Sequence, residues 1–350
     1  MIKIPGLIDV HVHLRDPGQT HKEDFFTGSL AALAGGFTTI LDMPNNKTPI
    51  TTVKDLKNKQ KIAAKKIVCD VGFYFGSLGN NLEDFKIIQN MVFGLKIYLN
   101  QTTGNYIVDE EVFKKICKLW PKRSPILLHA EADVIENMIE IAGQAGQRIH
   151  ICHVSSEKEL KTIIHAKKKG YEVTCGVTAH HLFLTLEDEK KIGPLAKMKP
   201  TLKTKKDVSF IWKNIEHIDV IESDHAPHTI EEKISENPAF GVPGLETTLP
   251  LLLTAVSYKK LTLNKLIKLC FENPKRIFNI KSNKNTFLEI DEKEEYIIDD
   301  KNLKTKCGWS PFNGWKVIGR IKKVYIRGKK VFEDGKLLVK PGSGKIITPI

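Results

Sequence analysis

A chain of 350 residues, 41% hydrophobic and 27% charged, has the make-up of an ordinary globular protein and room for one large domain or two smaller ones. It holds no run of about 20 apolar residues and its first residues lack the pattern of a signal peptide, so neither a membrane-spanning helix nor a secretory leader is expected. The net charge of +13 comes mostly from lysines spread over helix-like segments such as 57–66 and 158–169, with no nucleic-acid motif beside them; it reads as solvated charge, and neither nucleic acid nor membrane is an expected partner.

In chain order, short β-like runs at 4–10, 36–43, 69–75, 94–99, 125–130, 148–154, 171–177 and 218–223 alternate with amphipathic stretches such as 23–34, 53–65, 110–119, 132–142 and 157–168. Strand and helix repeated eight times predict a parallel sheet closed into a (β/α)8 TIM barrel, an α/β fold. Beyond about residue 278 the texture changes: 286–298 and 317–339 are short alternating runs split by Gly and Asp, as expected of antiparallel strands. The expected organisation is a barrel over 5–285 with a small β-rich satellite from 1–4 and 286–350. The six cysteines, Cys69, Cys117, Cys152, Cys175, Cys270 and Cys307, include no C-x-x-C pair; they read as reduced thiols and point to the cytoplasm.

Catalytic groups of such a barrel belong at the C-terminal ends of its strands. The first run leads into His11-Val12-His13, where alternation puts both imidazoles on one side, able to chelate a metal, and a turn from Leu14 to Gly18 follows at once. In the fourth run Leu95, Ile97 and Leu99 alternate with Lys96 and Tyr98, so Lys96 faces the barrel interior. A lysine there is either ion-paired or a neutral amine that adds CO2 and becomes a carbamate, an anion able to bridge two metals. The fifth and sixth runs close on His129 and His153; alone, either reads as a hydrogen-bonded core histidine. The eighth closes on Ser223-Asp224-His225, and an aspartate at a barrel mouth needs a cation or a donor. Four histidines, one lysine and one aspartate thus fall on five strand ends, and together they are the ligand types of a catalytic zinc site. Two metals roughly 3.5–4 Å apart can share a hydroxide and polarise a carbonyl.

These residues stand in motifs that resemble the dihydroorotases, cyclic amidohydrolases. The segment from Gly6 to Gly18 is similar to their opening signature; Met43-Pro44-Asn45, Gly94 to Asn100, Ile151 to Val154, Ser223 to His228, Gly244 to Thr247 and Asn273-Pro274 follow in order. The likeness covers nearly the whole chain and is nearest to the dihydroorotase domain of the multifunctional animal pyrimidine-synthesis polypeptide. It implies the reversible cyclisation of N-carbamoyl-L-aspartate to L-dihydroorotate, with loss of water, in pyrimidine synthesis. It implies two zinc ions per subunit, bridged by carboxylated Lys96 and a hydroxide: His11, His13, Lys96 and Asp224 on one, Lys96, His129 and His153 on the other, with Asp224 also the catalytic acid and base. Arg15, Asn45 and His228 would bind the substrate carboxylate, Thr102 would sit in a mobile loop, and the backbone near Phe240 and Gly241 would meet the ring. The resemblance leaves open a homo-oligomer and an association with aspartate transcarbamoylase.

Three positions depart from the pattern: Lys199 stands where an arginine is familiar among substrate contacts, Gly176 where a glutamate is, and Thr103 where an aromatic is. Lysine keeps the charge and loses the bidentate fork. Any third metal relying on the glutamate is in doubt, although Cys152 remains. His180, His181 and His225 read as supporting residues, and His21, His150, His165 and His217 as surface or helix histidines. A hydantoinase, dihydropyrimidinase or allantoinase would share barrel and metals but has no need of a carboxylate site. An inactive scaffold is the other alternative, although all six ligand positions are intact.

Overall fold

Parallel strands covered on both faces must be apolar at nearly every position. The computed structural model, which describes residues 1–100, 107–131 and 134–350, shows strands of this kind. In chain order the strands are β1 (Ile2–Pro5), β2 (Leu7–Val12), β3 (Phe37–Asp42), β4 (Asp70–Phe73), β5 (Phe75–Gly76), β6 (Leu95–Tyr98), β7 (Ile126–His129), β8 (Ile149–Ile151), β9 (Val173–Thr178), β10 (Val220–Glu222), β11 (Phe287–Ile297), β12 (Lys316–Ile326), β13 (Lys329–Glu333) and β14 (Lys336–Leu337). Every residue of β2, β6, β7, β8 and β10 is buried.

The barrel runs in parallel from β2 through β3 to β4, and from β5 through β6, β7, β8 and β9 to β10. β4 and β5 are one expected strand broken at Tyr74, whose side chain turns inward and donates to the Val10 carbonyl at 2.8 Å. Closure comes at the mouth, where His13 N–H donates to the His225 carbonyl at 2.8 Å.

The expected run at 4–10 is two strands, a correction with a local cause. A side chain on Gly6 would come within 2.4 Å of Thr38 Oγ1, and the chain changes partners there. β1 joins the antiparallel sheet in register with β11 (Ile2 opposite Ile290, Pro5 opposite Phe287), and β2 carries the barrel on to Val12.

Helices cover the outside. Phe25–Ala34 starts at Asp24, which accepts from the N–H groups of Phe26 and Thr27, and Glu157–Lys168 starts in a reciprocal Ser156/Glu159 box. Such caps contribute about 1 kcal/mol each. Leu245–Ser257 packs behind the barrel's seam; it is buried nearly all round and carries Pro250, so its sequence shows little amphipathic spacing. The five-stranded sheet β1-β11-β12-β13-β14 leans on this helix: Leu288, Ile290, Ile321 and Val324 share one apolar core with Leu245 and Leu249. The final residues return to the barrel, where Val71 donates to the Lys345 carbonyl at 2.9 Å and Ile347 to that of Val71 at 3.0 Å. No helix of the described residues is long and apolar enough to cross a membrane.

Candidate metal and substrate site

Three of the residues that leave strand ends do so in a backbone conformation that side chains disfavour. Arg15 (φ 60°), His153 (φ 40°) and Asp224 (φ 44°) are left-handed, at roughly 1–3 kcal/mol each. The turn swings each side chain off the strand's alternation and over the barrel axis. At His153 alternation alone would send the ring the other way, because His150 and Cys152 are the inward positions of that strand.

The imidazoles gather tightly. Ring centroids of His11 and His13 are 5.2 Å apart, those of His11 and His153 5.2 Å, and those of His129 and His153 4.6 Å. Asp224 Oδ1 lies 3.0 Å from His13 Nε2 and 3.3 Å from His11 Nε2. The second nitrogen of His13 meets Asn45 Oδ1 at 2.6 Å. His129 Nδ1 faces His153 Nε2 at 3.0 Å. Lys96 reaches into the same space, 1% exposed, with Nζ 3.2 Å from Cys152 Sγ.

These groups suit a metal ion. Burial, aided by the charge of Lys96, holds His129 well below the usual histidine range, and burial with His129 does the same to His153, so both rings are neutral and can ligate. Burial pulls His13 down to about 4 against the pull of Asp224. Burial would also lower His11, but Asp224, Cys152 and Glu222 outweigh it and raise it to about 10. Burial would raise Asp224, yet His11 and His13 keep it well below the carboxylate range. The protein thus places a proton where a divalent cation would neutralise the same carboxylates, and metal uptake would release it. Three buried ring nitrogens, His11 Nδ1, His129 Nε2 and His153 Nδ1, have no hydrogen-bond partner among the described residues, which at nearly full burial is costly. Ligand atoms of His11, His153 and Asp224 all lie within 4.8 Å of one another.

A pocket opens above this cluster. Its wall includes His11, His13, Arg15, Asn45, Lys96, His129, His153, Lys199, Asp224, Phe240 and Gly241, and adds Tyr98 and Ala226. Arg15 is 6% exposed and donates to Pro227 O at 3.2 Å, with Nη2 3.2 Å from His228 Nε2. His228 lies behind Arg15, not on the cavity wall; its Nδ1 faces Lys22 at 3.3 Å and Glu232 at 3.1 Å. Lys199 is half-buried, 3.9 Å from Glu131 and 5.4 Å above the Phe240 ring. Gly241 (φ 130°) must be glycine, because a Cβ would lie 2.6 Å from the Ala226 carbonyl oxygen. Thr102 and Thr103 lie outside the described residues.

Several supporting groups have no motif of their own. Lys59, in a helix read as solvated, is buried against Asp42 at 2.7 Å and also donates to Met43 O and Asn46 Oδ1, which fixes the turn carrying Asn45. Lys233 donates to the carbonyls of Lys197, Ala239 and Gly241 at 2.6, 2.9 and 2.9 Å and so holds the loop of Phe240. His150 corrects an expectation: it is fully buried, 2.9 Å from Thr174 Oγ1 and 3.6 Å from Glu222, because it occupies an inward position of β8. His181 bonds Thr178 and Pro200, and His225 pairs with Glu23, both in supporting places. Tyr98 was readable from the alternation that singled out Lys96. Glu222 lies inside the eighth run, two residues before Asp224, and was passed over because attention went to the groups at the strand's end.

The sequence matches the amidohydrolase family over residues 2–331. It is 44% identical over 347 residues to the multifunctional protein CAD of Squalus acanthias, covering 99% of this chain and 16% of that protein. It is 38% identical over 359 residues to a dihydroorotase of Pyrococcus furiosus, covering 98% of this chain and 84% of that one. The chain therefore spans about a sixth of the multifunctional relative and most of the stand-alone enzyme. Among solved structures, an L-hydantoinase (dihydropyrimidinase) from Arthrobacter aurescens superposes with a TM-score of 0.90 at 26% identity, covering 99% of this chain and 89% of that one.

Proposed function

The chain belongs to the amidohydrolase family, and from that premise we propose that it is a dihydroorotase, interconverting N-carbamoyl-L-aspartate and L-dihydroorotate. The observation that carries this is Arg15. It is a nearly buried guanidinium on the wall of the metal-ligand cavity whose hydrogen-bond partners, Pro227 O and His228 Nε2, are neutral acceptors, and no carboxylate lies within ion-pair distance among the described residues. A desolvated cation in that position is satisfied by an anionic substrate, and its fork suits a planar carboxylate. A hydantoin ring supplies no such anion.

His11, His13, Lys96 and Asp224 would hold one zinc ion, and Lys96, His129 and His153 a second. When bound, zinc supplies a Lewis acid for the amide carbonyl and lowers the pKa of water from about 15.7 to near 7. Lys96 would serve both sites as a carbamate: its ammonium gives up one proton, the amine adds to CO2 with formation of the N–C bond, and a second proton is lost, which turns a cation into a two-oxygen anion. Asp224 moves the proton. Towards hydrolysis its Oδ1 takes the proton of the attacking water and delivers it to the ring nitrogen as the C–N bond breaks; towards cyclisation it takes one from the carbamoyl nitrogen. Asn45 holds His13 by its Nδ1 and leaves Nε2 toward Asp224. Arg15, oriented by His228, and Lys199 bind the carboxylate end, and Phe240 and Gly241 flank the ring. The six unpaired cysteines fit a reducing compartment such as the cytoplasm. Assembly with a second copy or with aspartate transcarbamoylase belongs to the same reading, prompted by the multifunctional relatives.

The test is turnover of zinc-loaded protein on L-dihydroorotate, hydantoin and dihydrouracil, with metal content measured on the same sample. Turnover of dihydroorotate alone, lost to a chelator and restored by zinc, is the expected result. Turnover of the uncharged rings alone would move the chain to the hydantoinases. Silence on all three with metal bound would mark it as a scaffold.

A further inference from the structure

Beneath the cluster sits a carboxylate that the proposed reaction does not use. Glu222, on β10, is completely buried, with a carboxylate oxygen within 4.8 Å of Cys152 Sγ. An ion in such surroundings costs several kcal/mol of desolvation unless partners take up its lone pairs. Glu222 has three. Oε1 accepts from the His153 backbone N–H at 2.6 Å and lies 3.5 Å from His11 Nδ1, while Oε2 lies 3.6 Å from His150 Nε2.

Each contact bears on how a ring is presented. The bond to His153 N–H secures a residue held at φ 40°, the turn that brings its ring over the barrel axis. The approach to His11 Nδ1 favours a proton there and leaves Nε2 for the cavity, the usual part of a carboxylate behind a metal-binding histidine. The neighbouring strand has made room: in β9, a Cβ on Gly176 would lie 2.6 Å from both Cδ and Oε1 of Glu222. Gly176 is the position noted above where a glutamate would be familiar.

We propose that Glu222 is a positioning residue of the metal site, its buried carboxylate setting the orientation of His11 and His153, and that Gly176 is glycine because this carboxylate fills the space of its side chain. The inference rests on the metal-dependent reading of the site. It couples two adjacent strands: with Glu222 in place on β10, a side chain at position 176 of β9 has no room.

The experiment is titration of metal-stripped protein with Co2+ against a competing chelator, recording the absorption of the bound ion and the folded state by circular dichroism. Glu222→Gln keeps the shape and loses the charge; it is expected to weaken Co2+ binding about 10–100-fold and to alter the ligand-field bands. Glu222→Ala should be weaker still, and Gly176→Asp combined with Glu222→Ala, which brings a carboxylate back from β9, should recover part of the loss. Wild-type affinity and spectrum in folded Glu222→Gln would overturn the proposal, as would a folded double variant no better than Glu222→Ala. So would the loss of one whole bound equivalent in both Glu222→Ala and Cys152→Ser, since Glu222 would then be a ligand itself. If Glu222→Ala does not fold, the Gln variant decides. Wild-type protein that binds no Co2+ would instead bring down the metal reading, and this inference with it.

Discussion

At the scale of single residues, the site depends on side chains held in backbone conformations they would not choose. Asp224, at φ 44°, shows how to separate folding from chemistry. Asparagine tolerates the left-handed region better than alanine, so Asp224→Asn should fold and retain metal while turnover falls by about 10²–10⁴-fold; turnover near wild type would remove Asp224 from proton transfer. Lys96→Ala should lose metal and regain it with an added short carboxylic acid, read as bound zinc per chain. Undiminished metal without the acid would argue against the carbamate. Lys59 makes a different point: it had the look of a solvated helix lysine, yet it neutralises Asp42 in the interior. Removing it in Lys59→Met strands a buried carboxylate, with an expected loss of about 3–5 kcal/mol in urea unfolding. Such a lysine cannot be told from its exposed neighbours by residue type, because what takes it up is the end of the preceding strand and not its own helix.

At the scale of elements, the eight strands were readable because burial on both faces leaves a plain apolar signature, and the proposed ligands were picked out because each lies in such a strand or just beyond its end. What escaped notice has physical causes. The break at Gly6 depends on the side chain of Thr38 across the sheet, and the helix Leu245–Ser257 is buried nearly all round, so periodicity cannot reveal it. The loop of Phe240 is positioned by Lys233, thirty-six residues from one of the carbonyls it binds. Burial, with Lys197 nearby, lowers the Lys233 ammonium to about 7, while its three carbonyl acceptors favour the charged form. Lys233→Met leaves those carbonyls unpaired and loosens the wall that flanks the ring. KM for dihydroorotate should rise about tenfold or more, the equivalent of roughly 1.4 kcal/mol, with kcat less affected. An unchanged KM in the folded variant would take that loop out of substrate binding.

At the scale of the whole molecule, barrel and antiparallel sheet are tied by carboxylates that receive the chain as it crosses between them. Glu23 accepts from the Thr305 hydroxyl and from Lys306 N–H, and Glu246, in the first turn of the helix behind the barrel seam, accepts from the N–H groups of Lys304 and Thr305 at 2.8 and 2.9 Å. This tie had no sequence signature, since its donors are backbone groups of an irregular segment. Burial pushes the Glu246 carboxyl up to about 7 from an ordinary 4.5, against the opposing pull of those two donors. The folded protein therefore holds a proton on Glu246 more tightly than the unfolded chain does. Between those two values the native state binds more protons, so this group's contribution to stability falls as the pH rises through the window and is level on either side. Glu246→Gln has no such titration. The stability of wild type relative to Glu246→Gln, taken from urea midpoints at equal m-values, should decline from about pH 5 to about pH 8. A difference that stays level across that range would mean that Glu246 is ionised throughout, its two backbone donors outweighing its burial, and that the tie between sheet and barrel is a charge-assisted one at every pH tested.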